Sequence, residues 1–440
     1  MQRRQREFTS RLSAKIGIVV AVGSLATGGA ALADVNLSTE VTAGYTDNLQ
    51  RQPDGEDEVP ASLGLTGAWL ETTRHLAVDV EGRVDGIKYI NDTIDDEVVG
   101  QLDGSLTWWA MPERLAWVVE NVYGQVATDP FQPISPENRE NTNVFSTGPD
   151  WYIPFGDRMR GYLGGRYGLA RFEFSDTDSD RWVATAGLDR AISSTSRLGV
   201  QASSGSVDYD SDLQADFDRH EAYARYEFSR AQDASGPPTE LTVNAGYTWL
   251  DGDAGESSAP LIEVHYSKAL SSSIRVGLEL ASRFSDAGLE FAAGGLPGSG
   301  PGTDPGVIPQ AGVFEERSGL ASIEVERQRT TLGFAVGLAD ELYETATLDR
   351  RRYDVQLTAE RRMTRRLTGS ARVLWSQNQY ESGGLDRTDT DTEYQLEFRR
   401  ELGRRSSIAV VGLYASRSSD DSLTEFDETR GYLVFDYSLF

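Results

Sequence analysis

The chain has 440 residues with no cysteine, 69 acidic against 42 basic side chains and 44 glycines, and 39% of it is hydrophobic. These figures exclude a helical membrane protein, a disulfide scaffold and a zinc ribbon. A net charge of −27 repels phosphate backbones, and no concentrated basic face is visible, so no nucleic-acid partner is expected.

At the N-terminus Arg3, Arg4, Arg6, Arg11 and Lys15 precede an apolar run from Ile16 to Ala26, and Ala31-Leu32-Ala33 fits the small-x-small cleavage rule. The run is well short of the roughly 20 residues that span a bilayer. Residues 1–33 are therefore expected to be a removed signal peptide, and 34–440 a single domain. After residue 33 no stretch approaches 18 consecutive apolar residues, so the mature chain either stays in the periplasm or crosses a membrane as strands.

From there the chain alternates apolar and polar residues over segments of about ten, the signature of strands with one greasy and one wet face. Leu76, Val78, Val80, Gly82 and Val84 share one side; Asp79, Glu81, Arg83 and Asp85 share the other. Leu241, Val243, Ala245, Tyr247 and Trp249 repeat the pattern, as do Ile274, Val276, Leu278 and Leu280, and finally Tyr394, Leu396 and Phe398. A soluble sandwich gives the same alternation. The connections separate the two architectures. Short links such as Thr72–Arg74, Pro112–Arg114, Gly156–Arg158 and Gly403–Ser406 alternate with long acidic ones such as those opening at Thr46, Asn91, Ser175, Asp208, Glu381 and Ser418. The link from Arg230 to Thr239 breaks the rule mildly. Loops sorted by length and charge suit a barrel standing in an asymmetric membrane.

Trp69, Trp108, Tyr123, Trp182, Tyr247, Trp249 and Trp375 are expected near strand ends, where amphipathic rings favour a bilayer interface. The Gly/Pro-rich interval from Gly294 to Gly306 cannot hold a ladder and is expected to be a mobile loop, in solvent rather than folded inward. The predicted fold is all-β: a transmembrane antiparallel up-and-down β-barrel of about 20 strands, with 18 the next choice.

The opening strand VTAGYTDNL, with GYTDN at Gly44–Asn48, the run of alternating strands and the closing YLVFDYSLF that ends in Phe440 together resemble the β-barrel porins encoded near exopolysaccharide-export genes. The resemblance covers the whole mature chain. It implies an outer-membrane channel for passive passage or export of small solutes or saccharides, and a C-terminal strand read by the barrel-assembly machinery. Leu433, Phe435, Tyr437 and Leu439 alternate out of phase with Phe440, a departure from that signal. No functional residue carries over from it.

Catalytic groups are sparse. His220 stands beside Asp216 and Asp218, which reads first as a solvated loop-edge histidine; His265 shares a face with Glu263, and His75 sits at a short turn. Asp176-Thr177-Asp178-Ser179-Asp180 begins like a calcium loop, but Arg181 stands where glycine belongs. No catalytic, cofactor or metal site is expected, and outer-membrane lipid and lipopolysaccharide are the expected surroundings. The candidate lumen-lining residues are Asp79, Glu81, Arg83, Asp85, Glu221, Arg225, Glu227, Arg275, Glu279, Glu324, Glu326, Glu360, Arg372, Glu393, Glu397 and Arg399. Their acidic surplus predicts mild cation preference or passage of neutral sugars. The competing readings are a closed structural barrel that binds surface polysaccharide, and a barrel hydrolase.

Overall fold

A computed structural model describes residues 34–212, 214–231, 238–252, 255–293, 312–344, 349–381 and 386–439. The expected signal peptide, the Gly294–Gly306 interval and Phe440 lie outside the described residues.

Period-2 patterning resolves into strands β1 (Asp34–Thr46), β2 (Pro60–Thr72), β3 (Leu76–Tyr89), β4 (Glu97–Met111), β5 (Leu115–Val126), β6 (Glu140–Phe155) and β7 (Met159–Phe172). They continue with β8 (Ser179–Ala191), β9 (Ser196–Tyr209), β10 (Phe217–Arg230), β11 (Thr239–Gly252), β12 (Gly255–Ser271) and β13 (Ile274–Asp286). One short helix, α1 (Ala287–Ala293), precedes β14 (Val313–Arg327), β15 (Thr330–Tyr343), β16 (Arg350–Arg362) and β17 (Leu367–Tyr380). The chain ends with β18 (Arg387–Glu401), β19 (Ser406–Ser419) and β20 (Phe426–Ser438). Each strand pairs antiparallel with the next, and β1 pairs with β20, so the 20-stranded sheet is closed. Closure leaves no edge strand and satisfies the backbone internally, which a bilayer demands of a spanning structure.

The register sorts side chains into two faces. Val41 opposes Leu63 and Phe435, Leu65 opposes Val84, and Leu338 opposes Tyr353, so the exposed apolar side chains form continuous rows on one face. The other face carries the buried charges, and across it the connection after β5 reaches Tyr380 and Arg387 on the distant strands β17 and β18. It is therefore the interior. Trp69, Trp108, Tyr123, Trp182, Tyr247, Trp249 and Trp375 all fall in the outward rows. Trp375 sits mid-strand in β17 rather than near an end, with Ser376–Tyr380 still to follow it in the ladder.

Two further expectations change. The link after Trp249 is not long: β11 runs to Gly252 and β12 starts at Gly255, paired to each other to their tips. Apolar packing explains the extension, since Leu250 and Ala259 join a buried cluster with Val207, Phe217, Phe284 and Val313. His220, expected near the outer end of a strand, lies exposed among the first residues of β10 rather than in the loop, because β10 begins at Phe217, whose ring packs in that same cluster.

Candidate functional site: the lumen and its two crossing segments

The connection from β5 to β6, residues 127–139, crosses the interior. Pro130, Pro133 and Pro136 stiffen it by fixing φ, and Asn138 staples it. The Asn138 Nδ2 donates to the carbonyls of Asp129 at 2.9 Å and Pro133 at 3.1 Å, while Oδ1 accepts the Asp129 N–H at 2.8 Å. On the opposite side of the ring the Phe131 ring packs on Tyr380 with centroids 5.0 Å apart. Arg387 donates to the Phe131 carbonyl at 2.7 Å and Arg51 to the Ile134 carbonyl at 3.1 Å. These carbonyls belong to a loop without its own ladder, so the guanidiniums supply partners a buried backbone needs.

The anchoring arginines are themselves held. Arg387 makes a bidentate contact of 2.7 Å with Asp389, which is fully buried, and donates to Thr424 at 2.9 Å. Arg51 reaches Glu428 at 2.8 Å, and Arg430 contacts the same fully buried carboxylate. Fork geometry gives each carboxylate two aligned donors, which is what buried charge requires.

The second crossing segment is α1. Asp286 caps it by accepting the N–H groups of Gly288 at 3.0 Å and Leu289 at 3.2 Å. The same carboxylate pairs with Arg181 of β8 at 2.5 Å. Ala287 and Phe291 then bury against Val122, Val126, Ala170 and Phe172 on β5 and β7. A Cβ at 288 would stand 2.4 Å from an Arg181 nitrogen and 3.2 Å from the Ala170 Cβ, so a larger residue would push the guanidinium away from Asp286. Burial raises the Glu290 carboxyl above its ordinary value; Ser285 and Arg283 hydrogen-bond to it. The helix beside the Gly/Pro interval thus folds inward, while Gly294–Gly306 itself, on which the expectation of a solvent loop was placed, lies outside the described residues.

The register places every candidate lumen residue on the interior face, but it does not gather them into one site. Arg83 bonds Asp85 at 2.6 Å and Glu40 at 2.7 Å on the wall of β1–β3, where Asp79 and Glu81 also stand. Arg225 pairs with Glu227 at 2.6 Å, and Glu221 accepts from Ser203 at 3.1 Å. Arg372 pairs with Glu393 at 2.5 Å, and Glu397 with Arg399 at 2.7 Å; Glu326 and Glu360 lie toward the end with short turns. Arg275, Glu279 and Glu324 do come together, on β13 and β14, with His265 3.4 Å from Glu279.

Sequence reasoning missed the crossing loop and its anchors. The signal was there: TDPFQPISPENR has three prolines, a Phe and an Ile, and little acid compared with the other long connections. Asn244, Arg352 and Asp354, which share the wall with His265, were also missed, because short alternation gives a face but not a neighbour.

Outside the barrel, His220 Nδ1 lies 2.9 Å from Ser204 Oγ in a groove of about 650 Å³ bordered by Trp117, Tyr167 and Trp182. Both residues sit in rows continuous with outward apolar side chains. Ser204 lies in a strand laddered on both sides, so its surrounding N–H groups are consumed and form no oxyanion hole. The aspartates of the calcium-like run are used internally: Asp178 accepts the Phe172 N–H at 2.7 Å, and Asp180 pairs with Arg171 and accepts from Tyr167. His75 Nδ1 meets the Trp109 carbonyl at 3.0 Å. At the loop end, burial works to raise the Glu58 carboxyl, but backbone N–H donors from Val59 at 2.6 Å, Asn91 at 2.8 Å and Thr93 at 3.1 Å outweigh it and hold it below its ordinary value.

No protein-family model matches the chain, and no curated protein matches it. Solved structures do. Pseudomonas aeruginosa OccK3 (OpdO) is 11% identical over 92% of this chain and 96% of that one, with a TM-score of 0.39. Pseudomonas aeruginosa OccK2 (OpdF) in complex with glucuronate is 13% identical over 93% and 99%, at 0.41. A mutant ferric enterobactin receptor (PfeA) of the same organism is 11% identical over 93% of this chain and 81% of that one, at 0.47. What this lumen does has to follow from its own side chains.

Proposed function

We propose that the chain is a non-catalytic outer-membrane channel through which small solutes diffuse, narrowed toward its loop end by residues 127–139 and α1, with a mild preference for cations. The observation that carries this is the closed barrel's polar inner wall, charged and open along β11–β16 while the crossing segments occupy the other side. Twenty strands enclose room for an aqueous path unless it is plugged, and surplus carboxylates on a pore wall attract cations. Neutral saccharides, including an exported polysaccharide, belong to the same proposal through the sequence resemblance. So do lipopolysaccharide around the acidic loops, removal of residues 1–33, and recognition of the strand ending in Phe440 by the assembly machinery.

The test is single-channel conductance of the refolded mature protein in a planar bilayer under a salt gradient. Steady steps with a cation-selective reversal potential are expected. A folded, heat-modifiable barrel that passes no current would instead favour a closed barrel binding surface polymers, the reading that the two crossing segments would then support. The Ser204–His220 pair, without an oxyanion hole, supports no hydrolase.

A further inference from the structure

We infer that the inner wall of β11–β16, beneath α1, is a binding subsite for small solutes that carry a protonated amine. This rests on the channel reading above and names the solute class for which the wall is built.

Cross-strand rows build the subsite. One row runs Asn244, Glu263, Ala281, Ser318, Ala339, Arg352. The next runs Thr242, His265, Glu279, Leu320, Gly337, Asp354. Their middle is floored by residues with little or no side chain, among them Ala281, Ala339 and Gly337, with Gly277, Gly333 and Ala335 continuing the floor further down. Two adjoining hollows of about 450 and 360 Å³ result, sharing His265 and Glu279. That is the room a small solute needs.

Charge decides the class. Six carboxylates line the hollows against three guanidiniums. The guanidiniums are largely committed: Arg283 to Glu316 at 2.9 Å and Glu290 at 3.2 Å, and Arg352 to Asp354 at 2.8 Å. Several carboxylates are not matched as well. Among the described residues Glu279 has His265 alone as an ionic partner, at 3.4 Å, and stands 58% exposed to the lumen, and Glu263 sees Arg283 at 3.8 Å. An anionic solute would have to displace short ion pairs, whereas an ammonium would complete long ones.

An independent observation points the same way. Asn244 is 8% exposed, and its Nδ2 donates to Glu263 at 2.8 Å, which fixes the amide. Its Oδ1, also buried, has no hydrogen-bond partner among the described residues, although the residue lines the hollow. A buried acceptor left open beside the Glu263 carboxylate is complementary to a group with several N–H donors and a positive charge, and an ammonium carries three.

The experiment records single-channel currents of the full mature barrel while butane-1,4-diamine, glutarate or glucose is titrated from one side, and in parallel measures the thermal unfolding midpoint with each. The diamine is expected to interrupt the current in a concentration-dependent way and to raise the midpoint; glutarate and glucose are expected to do neither at the same concentration. Glu263→Gln combined with Glu279→Gln should raise the half-blocking diamine concentration about tenfold, the equivalent of two lost charge-assisted contacts of modest strength, while Asp103→Asn on β4 should not. Equal block in wild type and the double variant, or block by glutarate or glucose instead, overturns the inference and leaves the channel intact. If the folded barrel passes no current, the channel reading fails. The diamine-specific rise in midpoint, lost in the double variant, then upholds the amine site, and its absence overturns that as well.

Discussion

Two sides of the inner wall use the same period-2 pattern for opposite ends. On β5, β7, β19 and β20 the interior positions hold Val122, Val126, Ala170, Phe172, Leu413, Phe426, Tyr432 and Val434, with ion pairs sealed among them, and this side receives the crossing segments. On β11–β16 the interior positions alternate carboxylates and guanidiniums with Gly, Ala and Ser, and nothing among the described residues covers them below α1. The lesson is that a lumen can be shaped from within by composition alone: apolar interior positions recruit a plug, and small ones with unpaired charge keep a path.

The largest effect should come from removing the plug. Replacing residues 128–138 with a short Gly/Ser link is expected to raise single-channel conductance several-fold; unchanged conductance would mean the crossing loop is not the constriction. Next in size is Arg387→Ala, which leaves Asp389 buried without its partner and should lower stability by about 3–5 kcal/mol. The matched change on the open side, Arg352→Ala, breaks a pair about 40% exposed at both partners and should cost about 1 kcal/mol or less. Urea titration followed by gel mobility compares the two; equal losses would erase the distinction between the sides. Phe291→Ala deletes a buried ring from the α1 contact and should weaken docking by about 3 kcal/mol, read as frequent current fluctuations where the wild type is steady.

The smallest effect is a pH dependence at the loop end. Because folding lowers the Glu58 pKa, its stabilisation is complete above the ordinary carboxylate range and disappears as pH falls through the lowered value. Glu58→Gln should therefore destabilise the barrel at neutral pH and flatten the acid limb of its stability curve. An unaltered acid limb would show that its backbone donors contribute nothing.

The fold was legible because each strand states its two faces locally: Asp79 and Val80 need no knowledge of the rest of the chain. Strand number followed from the spacing of turn signals. What was not legible depends on partners far along the chain. Phe131 meets Tyr380, and Arg181 meets Asp286, only after the ring has closed. The inward course of α1 was hidden for the same reason, since Asp286-Ala287-Gly288 reads as loop punctuation until Arg181 and Ala170 are placed beside it. The hollow at β11–β16 required the register of successive ladders, and one sequence supplies only the parity of each strand.

The closing seam has a consequence for how the molecule comes into being. β1 and β20 share nine residue pairs, Ser38–Ser438 to Thr46–Arg430, against fourteen between β10 and β11. Its staples, Thr46 on Glu428 at 2.6 Å and Arg51 on the same carboxylate at 2.8 Å, sit at one extremity. The seam joins the first strand to the last, so loop-closure entropy makes it the costliest ladder to form and the natural last step of assembly. Until then two long edges stand open, and both invite pairing with the wrong chain. In the finished barrel the same line is the zip fastener: fraying should start at the short-turn extremity, away from the charged staples, and stop at the Glu428 cluster.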